Sequence, residues 1–373
     1  MFNLLRGISR VIEDRADMLS LRDIQRYQTA LTWATLAYKD QNGRDIDDHN
    51  VEANKHPITL INAMKALPHH TSVFDSSGQT NTKVTVEYIP DSQGVLHIAC
   101  RGTVCQKDWE TNLNYNMIPL DPNHRGHSFN SNPNINKNDV LVHAGFMGAT
   151  ESIFPQVLDL ILNALNASDD PKAQNRKKSH PPVKSIHISG HSLGGALACL
   201  LGLTLMKHER VLTLIEKNQD NSQNELKVNV ITFGAPPVGN QAFIELLESL
   251  NSKLNHERIV LSSDPVPKLS HQGRHGQKDG ESIQNEGFLH FPINPIILDD
   301  PLESYHKLAT SATNAYQASV SANQAAATSE EEHVTNRWRA VRGVLSASRA
   351  LVATGVKEHS VDTYWERLLQ HYI

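Results

Sequence analysis

The sequence has 373 residues, of which 39% are hydrophobic and 20% are charged, so the chain is long enough to bury a large core and lies outside the composition range of disordered proteins. Its formal net charge of −5 at pH 7, with the 20 His residues neutral, argues against a general electrostatic attraction to nucleic acid or to an anionic membrane. The three cysteines are too few for a disulfide framework and favour a reducing compartment.

The first forty residues predict two helices that pack on the body of the protein. Apolar residues recur at helical spacing over 4–19, and 21–38 is rich in Ala, Leu and aromatic residues. The first helix also carries Arg6, Arg10 and Arg15, so contact with a membrane surface is the alternative to packing. Charges interrupt any apolar core of a secretory signal, and we expect a cytoplasmic protein or one exported without an ordinary signal peptide.

The middle of the chain alternates between strand and helix patterns. Strands are predicted over 83–89, 94–100 and 140–146, and then strands over 183–189, 228–233 and 258–261 alternate with helices over 193–207 and 241–250. This order is typical of an α/β fold with a mostly parallel sheet covered by helices. We expect a single domain over 1–373, without a transmembrane segment.

Two polar segments and one Ala-rich segment complete the chain. The stretches 121–138 and 265–287 are dense in Asn, Gly, His and charged residues, and we expect them to be surface loops. Residues 305–357 are rich in Ala and Ser and predict a helical insertion before the C-terminus. The apolar run 341–356 makes this insertion a candidate lid, with ordinary packing as the alternative.

A Gly-x-Ser-x-Gly motif lies at 190–194, directly between a predicted strand and a predicted helix. In this setting the turn presents the Ser192 hydroxyl above the sheet, while the flanking glycines let strand and helix approach closely. A serine becomes a nucleophile at neutral pH only when a base and an acid partner are arranged beside it. Ser192 is therefore our candidate nucleophile.

The acid and the base are sought after Ser192 in chain order. Asp264 lies just past a strand, and two prolines hold the turn after it, although an Asp that only caps a turn is the alternative. Among the later histidines, His359 immediately precedes an amphipathic segment and would sit at a loop-to-helix junction, with His306 as the reserve. His290 lies in an apolar strand-like run, which favours a structural role.

Five motifs, in order along the chain, resemble the class 3 (fungal-type) triacylglycerol lipases. They are Arg101-Gly102-Thr103 with Asp108-Trp109, Val142-His143-x-Gly145-Phe146, Gly190-His191-Ser192-Leu193-Gly194-Gly195-Ala196, Phe233-Gly234-Ala235-Pro236-x-Val238-Gly239-Asn240, and Asp264-x-Val266-Pro267. The resemblance resumes at 359–364, where the family has its catalytic His followed by an aromatic residue. It implies an α/β-hydrolase fold and hydrolysis of lipid esters.

The resemblance also implies a role for each matching residue. Ser192, Asp264 and His359 match the family's catalytic triad, and Thr103 and Leu193 match the residues whose backbone N–H groups form its oxyanion hole. His143 matches a motif residue that we expect to be structural.

The expected partner is a lipid ester, without a cofactor, a catalytic metal or nucleic acid. A phospholipase A1-like enzyme acting on membranes and a catalytically inactive lipid-binding module are the alternatives.

Overall fold

A computed structural model describes residues 19–39, 56–67, 71–75, 80–89, 94–104, 116–120, 139–166, 183–219, 226–250, 252–268, 272–275, 284–290, 295–298 and 359–370. Three predicted segments lie outside these residues: the helix over 4–19 except for Leu19, the loop over 121–138, and the insertion over 305–357 with its candidate lid and His306.

A seven-stranded sheet, mostly parallel, forms the centre of the fold. The described strands are, in chain order, β1 (Thr71–Phe74), β2 (Lys83–Ile89), β3 (Val95–Cys100), β4 (Met117–Pro119), β5 (Leu141–His143), β6 (Ser185–His191), β7 (Lys227–Phe233), β8 (Leu254–Val260), β9 (Gln272–His275), β10 (Gln284–Gly287) and β11 (Ile296–Ile297). The large sheet has the order β1-β2-β3-β6-β7-β8-β11, in which β1, β2 and β3 pair antiparallel and every later pair is parallel. This arrangement confirms the predicted α/β architecture.

Helices cover both faces of the sheet. They are α1 (Leu21–Leu36), α2 (Ile58–Lys65), α3 (Ala144–Asn166), α4 (Leu193–Lys207), α5 (Glu209–Gln219), α6 (Gln241–Ser249) and α7 (Val361–Gln370). Side chains alternate between the two faces along each strand. Val228 and Val230 of β7 therefore join α3, α4 and α6 in one core, whereas Ile231 and Phe233 join α1, α2 and α7 in the other.

Helix α4 is apolar all round because almost none of it reaches the surface. Thirteen of its fifteen residues are buried between the sheet, α3 and α5. Over the described residues, no helix combines the length and the apolarity that crossing a bilayer requires.

Two predicted elements differ from the observed ones. The strand predicted over 140–146 ends at His143, and α3 begins at Ala144, because the apolar residues that follow recur with helical rather than strand spacing. The segment predicted as a loop over 265–287 contains a short 3₁₀-helix, Val266–Lys268, and the antiparallel hairpin of β9 and β10. These two strands show no alternation of apolar and polar residues, so the sequence pattern contains no strand signal there.

Candidate active site

The carboxyl ends of four neighbouring strands bring the predicted site residues to one edge of the sheet. Cys100 of β3 pairs with Gly190 of β6, and Phe233 of β7 pairs with both His191 of β6 and Ile259 of β8. The segments that follow these strands therefore leave the sheet side by side. The carboxyl edge of an open parallel sheet is where α/β proteins bind their ligands.

Ser192 occupies a strained turn between β6 and α4. Its backbone has φ 58° and ψ −131°, and among the described residues it is the one non-glycine with a positive φ. Such strain, which costs of order 1–3 kcal/mol, persists only where the surrounding structure enforces it. Here the Ser192 N–H donates to the Phe233 carbonyl at 2.9 Å, and a Cβ on Gly194 would lie 2.2 Å from the Cys100 carbonyl oxygen. The close approach of α4 to the sheet edge thus requires glycine at 194.

Asp264 is fully buried, and three donors hold its carboxylate. His359 Nδ1 lies 2.8 Å from Oδ2 and 2.9 Å from Oδ1, the Tyr364 hydroxyl donates to Oδ2 at 2.7 Å, and the Val266 backbone N–H donates to Oδ1 at 2.9 Å. A buried carboxylate is costly unless it is paired and hydrogen-bonded. These three contacts provide the hydrogen bonds that the buried carboxylate needs.

His359 lies immediately before α7 and presents its two ring nitrogens differently. Nδ1 donates to Asp264, which leaves the lone pair on Nε2. Nε2 is buried and accepts no hydrogen bond from a described residue, so the Ser192–His359 hydrogen bond is not formed in this structure. Hydrogen bonds between catalytic groups are often long without substrate and tighten when it binds.

Contacts with α1, α2 and the sheet hold α7, and with it His359, in place. Tyr364, Trp365 and Leu368 are buried in the core that α1 and α2 share with the sheet. The Trp365 indole N–H donates to Thr59 Oγ1 at 2.8 Å, and His56 Nδ1 lies 2.6 Å from an Asp362 carboxylate oxygen. The position of His359 therefore depends on residues far away in sequence.

The two predicted oxyanion-hole residues lie on adjacent segments. Thr103 belongs to residues 101–104, which follow β3, and Leu193 is the first residue of α4. The first turn of α4 packs against the end of β3, since a Cβ on Gly194 would also lie 2.9 Å from the Arg101 carbonyl carbon. The backbone N–H of Leu193, at a helix start, has no acceptor within the helix, and helix N-termini favour negative charge.

Three residues in contact with this constellation were not predicted as site residues. His191 is part of the motif around Ser192, Tyr364 is the aromatic residue of the segment 359–364, and Tyr38 follows the end of α1. His191 Nε2 lies 2.6 Å from the His359 carbonyl oxygen, and its Nδ1 lies 3.1 Å from the Tyr38 hydroxyl. Burial and the neighbouring His359 ring hold the pKa of His191 well below its usual range. A local sequence pattern contains no signal for such contacts.

The other histidines considered have structural surroundings or lie outside the described residues. His290 Nε2 lies 2.6 Å from the Pro267 carbonyl oxygen, and burial lowers the His290 pKa to about 4. His143 is buried and stacks on Phe146 with ring centroids 3.7 Å apart, as expected for a structural residue. Among the described residues, no three His, Cys, Asp or Glu side chains are grouped so that they could hold a metal ion.

Comparisons with known proteins identify the same region of the chain. Residues 97–273 match the family model described as Lipase (class 3). The chloroplastic galactolipase DONGLE of Arabidopsis thaliana is 31% identical over 177 residues, which are 46% of this chain and 33% of that protein. The secreted mono- and diacylglycerol lipase 1 of Fusarium solani is 23% identical over 264 residues, 70% of this chain and 63% of that protein. The chain thus spans about a third to two thirds of the length of these relatives.

A solved structure, lipase II from Rhizopus niveus, matches with a TM-score of 0.44 and 23% identity, covering 72% of this chain and 85% of that one. The matched family region includes Thr103, Ser192, Leu193 and Asp264, and it ends before His359. The family match, which spans 177 of the 373 residues, and the motifs show that this part of the chain is similar to the class 3 lipases.

Proposed function

We propose that this protein hydrolyses carboxylic esters of lipids through a covalent acyl-enzyme on Ser192. The observation that carries the proposal is the pairing of His359 Nδ1 with the buried carboxylate of Asp264, at 2.8 Å, beside the strained turn that presents Ser192. An acid partner that holds the imidazole in one tautomer is what a serine nucleophile needs from its surroundings.

The reaction follows from this proton arrangement. His359 Nε2 takes the proton of the Ser192 hydroxyl as its oxygen attacks the ester carbonyl, and the imidazolium that forms is stabilised by Asp264. The proton then passes to the leaving alkoxide, which departs as an alcohol and leaves the acyl group on Ser192. Water, deprotonated by the same His359, attacks the acyl-enzyme. His359 then returns the proton to the Ser192 oxygen as the fatty acid is released.

Thr103 and Leu193 are proposed to stabilise the oxygen that becomes negative in each tetrahedral intermediate. The start of α4 supports this role for Leu193, because its backbone N–H has no acceptor within the helix. Removal of one such donor costs about 3–4 kcal/mol of transition-state stabilisation in comparable enzymes.

The lipid class of the substrate is proposed from the relatives. The matches include a galactolipase and a mono- and diacylglycerol lipase, whose names refer to polar membrane lipids and to neutral acylglycerols. Both classes contain the same carboxylic ester, and the triad does not select between them. The two classes therefore form separate arms of the test.

The test compares the wild type with Ser192→Ala, Asp264→Asn and His359→Ala. We expect Ser192→Ala to lose about 10⁴-fold or more of kcat on p-nitrophenyl esters from acetyl to palmitoyl. Asp264→Asn should lose about 10³- to 10⁴-fold, because the amide no longer favours the required His359 tautomer. Ser249→Ala is the matched control, and its kcat should be unchanged. In the wild type, the Ser249 hydroxyl donates to the Leu246 carbonyl at the end of α6.

A fluorophosphonate probe provides a readout that does not depend on the choice of substrate. It should add one covalent group per chain to the wild type, and none at this site in Ser192→Ala. Release of fatty acid from diacylglycerol emulsions and from galactolipid or phospholipid vesicles then identifies the lipid class. Equal ester hydrolysis by the wild type and Ser192→Ala, without labelling of Ser192, would overturn the proposal.

A further inference from the structure

We propose that Tyr38 and His191 position the base, with His191 holding the backbone carbonyl of His359 and Tyr38 holding the His191 ring. This inference rests on the proposed function, and it assigns to these residues a positioning role rather than contact with substrate.

The proton positions on His191 follow from its partners. The His359 carbonyl oxygen, 2.6 Å from His191 Nε2, can only accept a hydrogen bond, so Nε2 must carry a proton. The neutral ring then has its lone pair on Nδ1, which accepts from the Tyr38 hydroxyl at 3.1 Å. The ring is buried, and it lies 4.6 Å from the His359 ring, centroid to centroid. A second positive charge beside the imidazolium that His359 becomes during the reaction would be unfavourable, whereas a neutral donor stabilises the arrangement.

Tyr38 links this pair to the segment that carries Thr103. A Cβ on Gly102 would lie 1.9 Å from the Tyr38 hydroxyl oxygen and 2.7 Å from the His191 carbonyl oxygen. The hydroxyl therefore fills the space that the missing Gly102 side chain leaves. The half-buried Tyr38 and the buried His191 thus touch the segment after β3, the turn that precedes Ser192 and the residue that provides the base.

The His191 contact matters because His359 is far from Ser192 along the chain. His191 and His359 are 168 positions apart, and His191 contacts the His359 backbone carbonyl. Within the described part of the chain, the His359 side chain is hydrogen-bonded through Nδ1 to Asp264. Two attachments, one to the side chain and one to the backbone carbonyl, restrict both the ring orientation and its distance from Ser192. A misplacement of about 1 Å at a catalytic group can lower the rate by about 100-fold.

The test separates hydrogen bonding from shape at position 191. His191→Gln keeps a donor near the place of Nε2, His191→Met fills similar space without a donor, and Tyr38→Phe removes only the hydroxyl. We expect His191→Met to lower kcat on a p-nitrophenyl ester by about 30- to 100-fold with KM within about twofold. His191→Gln should recover kcat to within about fivefold of the wild type, and Tyr38→Phe should lower it about 3- to 10-fold.

His187→Gln is the matched control. His187 lies on the same strand, four residues before His191, and its ring contacts the His97 ring at the other end of β6. We expect its kcat to equal that of the wild type. Thermal unfolding of each variant reports whether the protein remains folded.

Each outcome has one meaning. Equal kcat losses in folded His191→Gln and His191→Met, or wild-type kcat in His191→Met, would overturn the positioning role. If neither His191 variant folds, Tyr38→Phe decides, since full kcat in this variant contradicts the inference. A wild-type chain that neither hydrolyses any ester nor takes up the fluorophosphonate probe would instead overturn the proposed function, and the positioning role with it.

Discussion

Gly234 is the position where one added methyl group should most directly disturb the contacts of Asp264 and His359. Gly234 follows β7 with φ +57°, in the left-handed region that costs an L-residue about 1–2 kcal/mol. A Cβ there would lie 2.6 Å from Asp264 Oδ2, 2.9 Å from the Tyr364 hydroxyl and 3.1 Å from His359 Cε1, where ordinary contacts are 3.4 Å or longer. Gly234→Ala must therefore displace the Asp264 carboxylate, or the backbone at 234, by about 0.8 Å.

A shift of this size at the acid should misorient His359. We expect Gly234→Ala to lower kcat on a p-nitrophenyl ester by about 10- to 100-fold. We also expect it to lower the free energy of unfolding by about 1–3 kcal/mol, measured by urea denaturation. Steady-state kinetics below the unfolding transition separates the two effects.

Gly148→Ala is the control for the same substitution elsewhere. Gly148 is exposed in α3, and an added Cβ would have no heavy atom within 4 Å. We expect a gain of about 0.5–1 kcal/mol in the free energy of unfolding, because alanine favours the helix, with no change in kcat. A kcat for Gly234→Ala within about twofold of wild type would refute the placement of Asp264, Tyr364 and His359 around this glycine.

Three further predictions follow from the buried polar contacts. Tyr364→Phe removes a donor to Asp264 and the acceptor of the Leu261 N–H at 3.2 Å. It should lower the free energy of unfolding by about 1–3 kcal/mol and kcat by about 3- to 10-fold. An unchanged urea midpoint and an unchanged kcat would contradict this prediction. Asn240→Ala removes the side-chain acceptor of the Phe243 and Leu141 N–H groups, both at 3.1 Å. The free energy of unfolding should fall by about 2–4 kcal/mol, with kcat retained. A lower kcat in the folded variant would instead place Asn240 in the site. Burial lowers the pKa of His97 to about 3, so below pH 6.5 the unfolded chain binds a proton at His97 that the folded protein does not. The free energy of unfolding should therefore fall as the pH drops below 6.5, by about 2 kcal/mol at pH 5. His97→Phe, which can keep the stack on Trp33, should reduce this loss in urea titrations at pH 7 and 5.

The sequence alone determined the elements whose signal is local. The strand, the turn at 190–194 and the helix after it are encoded within about twenty residues, and the structure has β6, the strained Ser192 and α4 there. The alternation of strands and helices likewise predicted the parallel part of the sheet. Local patterns were insufficient at the start of α3, where a strand runs directly into a helix, and in β9 and β10, where the strands lack apolar residues.

The tertiary structure decided which distant residues meet. Asp264 and His359 are 95 positions apart, Asp264 and Tyr364 are 100 apart, and Tyr38 and His191 are 153 apart. The amphipathic segment after His359 favoured it over His306, but only the packing of α7 against α1 and α2 brings its ring to Asp264. The roles of Tyr38 and of the space at Gly234 were invisible in the sequence because each depends on the simultaneous positions of several strand ends. Local backbone preferences act over a few residues, whereas side-chain contacts across the carboxyl edge of the sheet are set by the register of the strands and the helices packed on them.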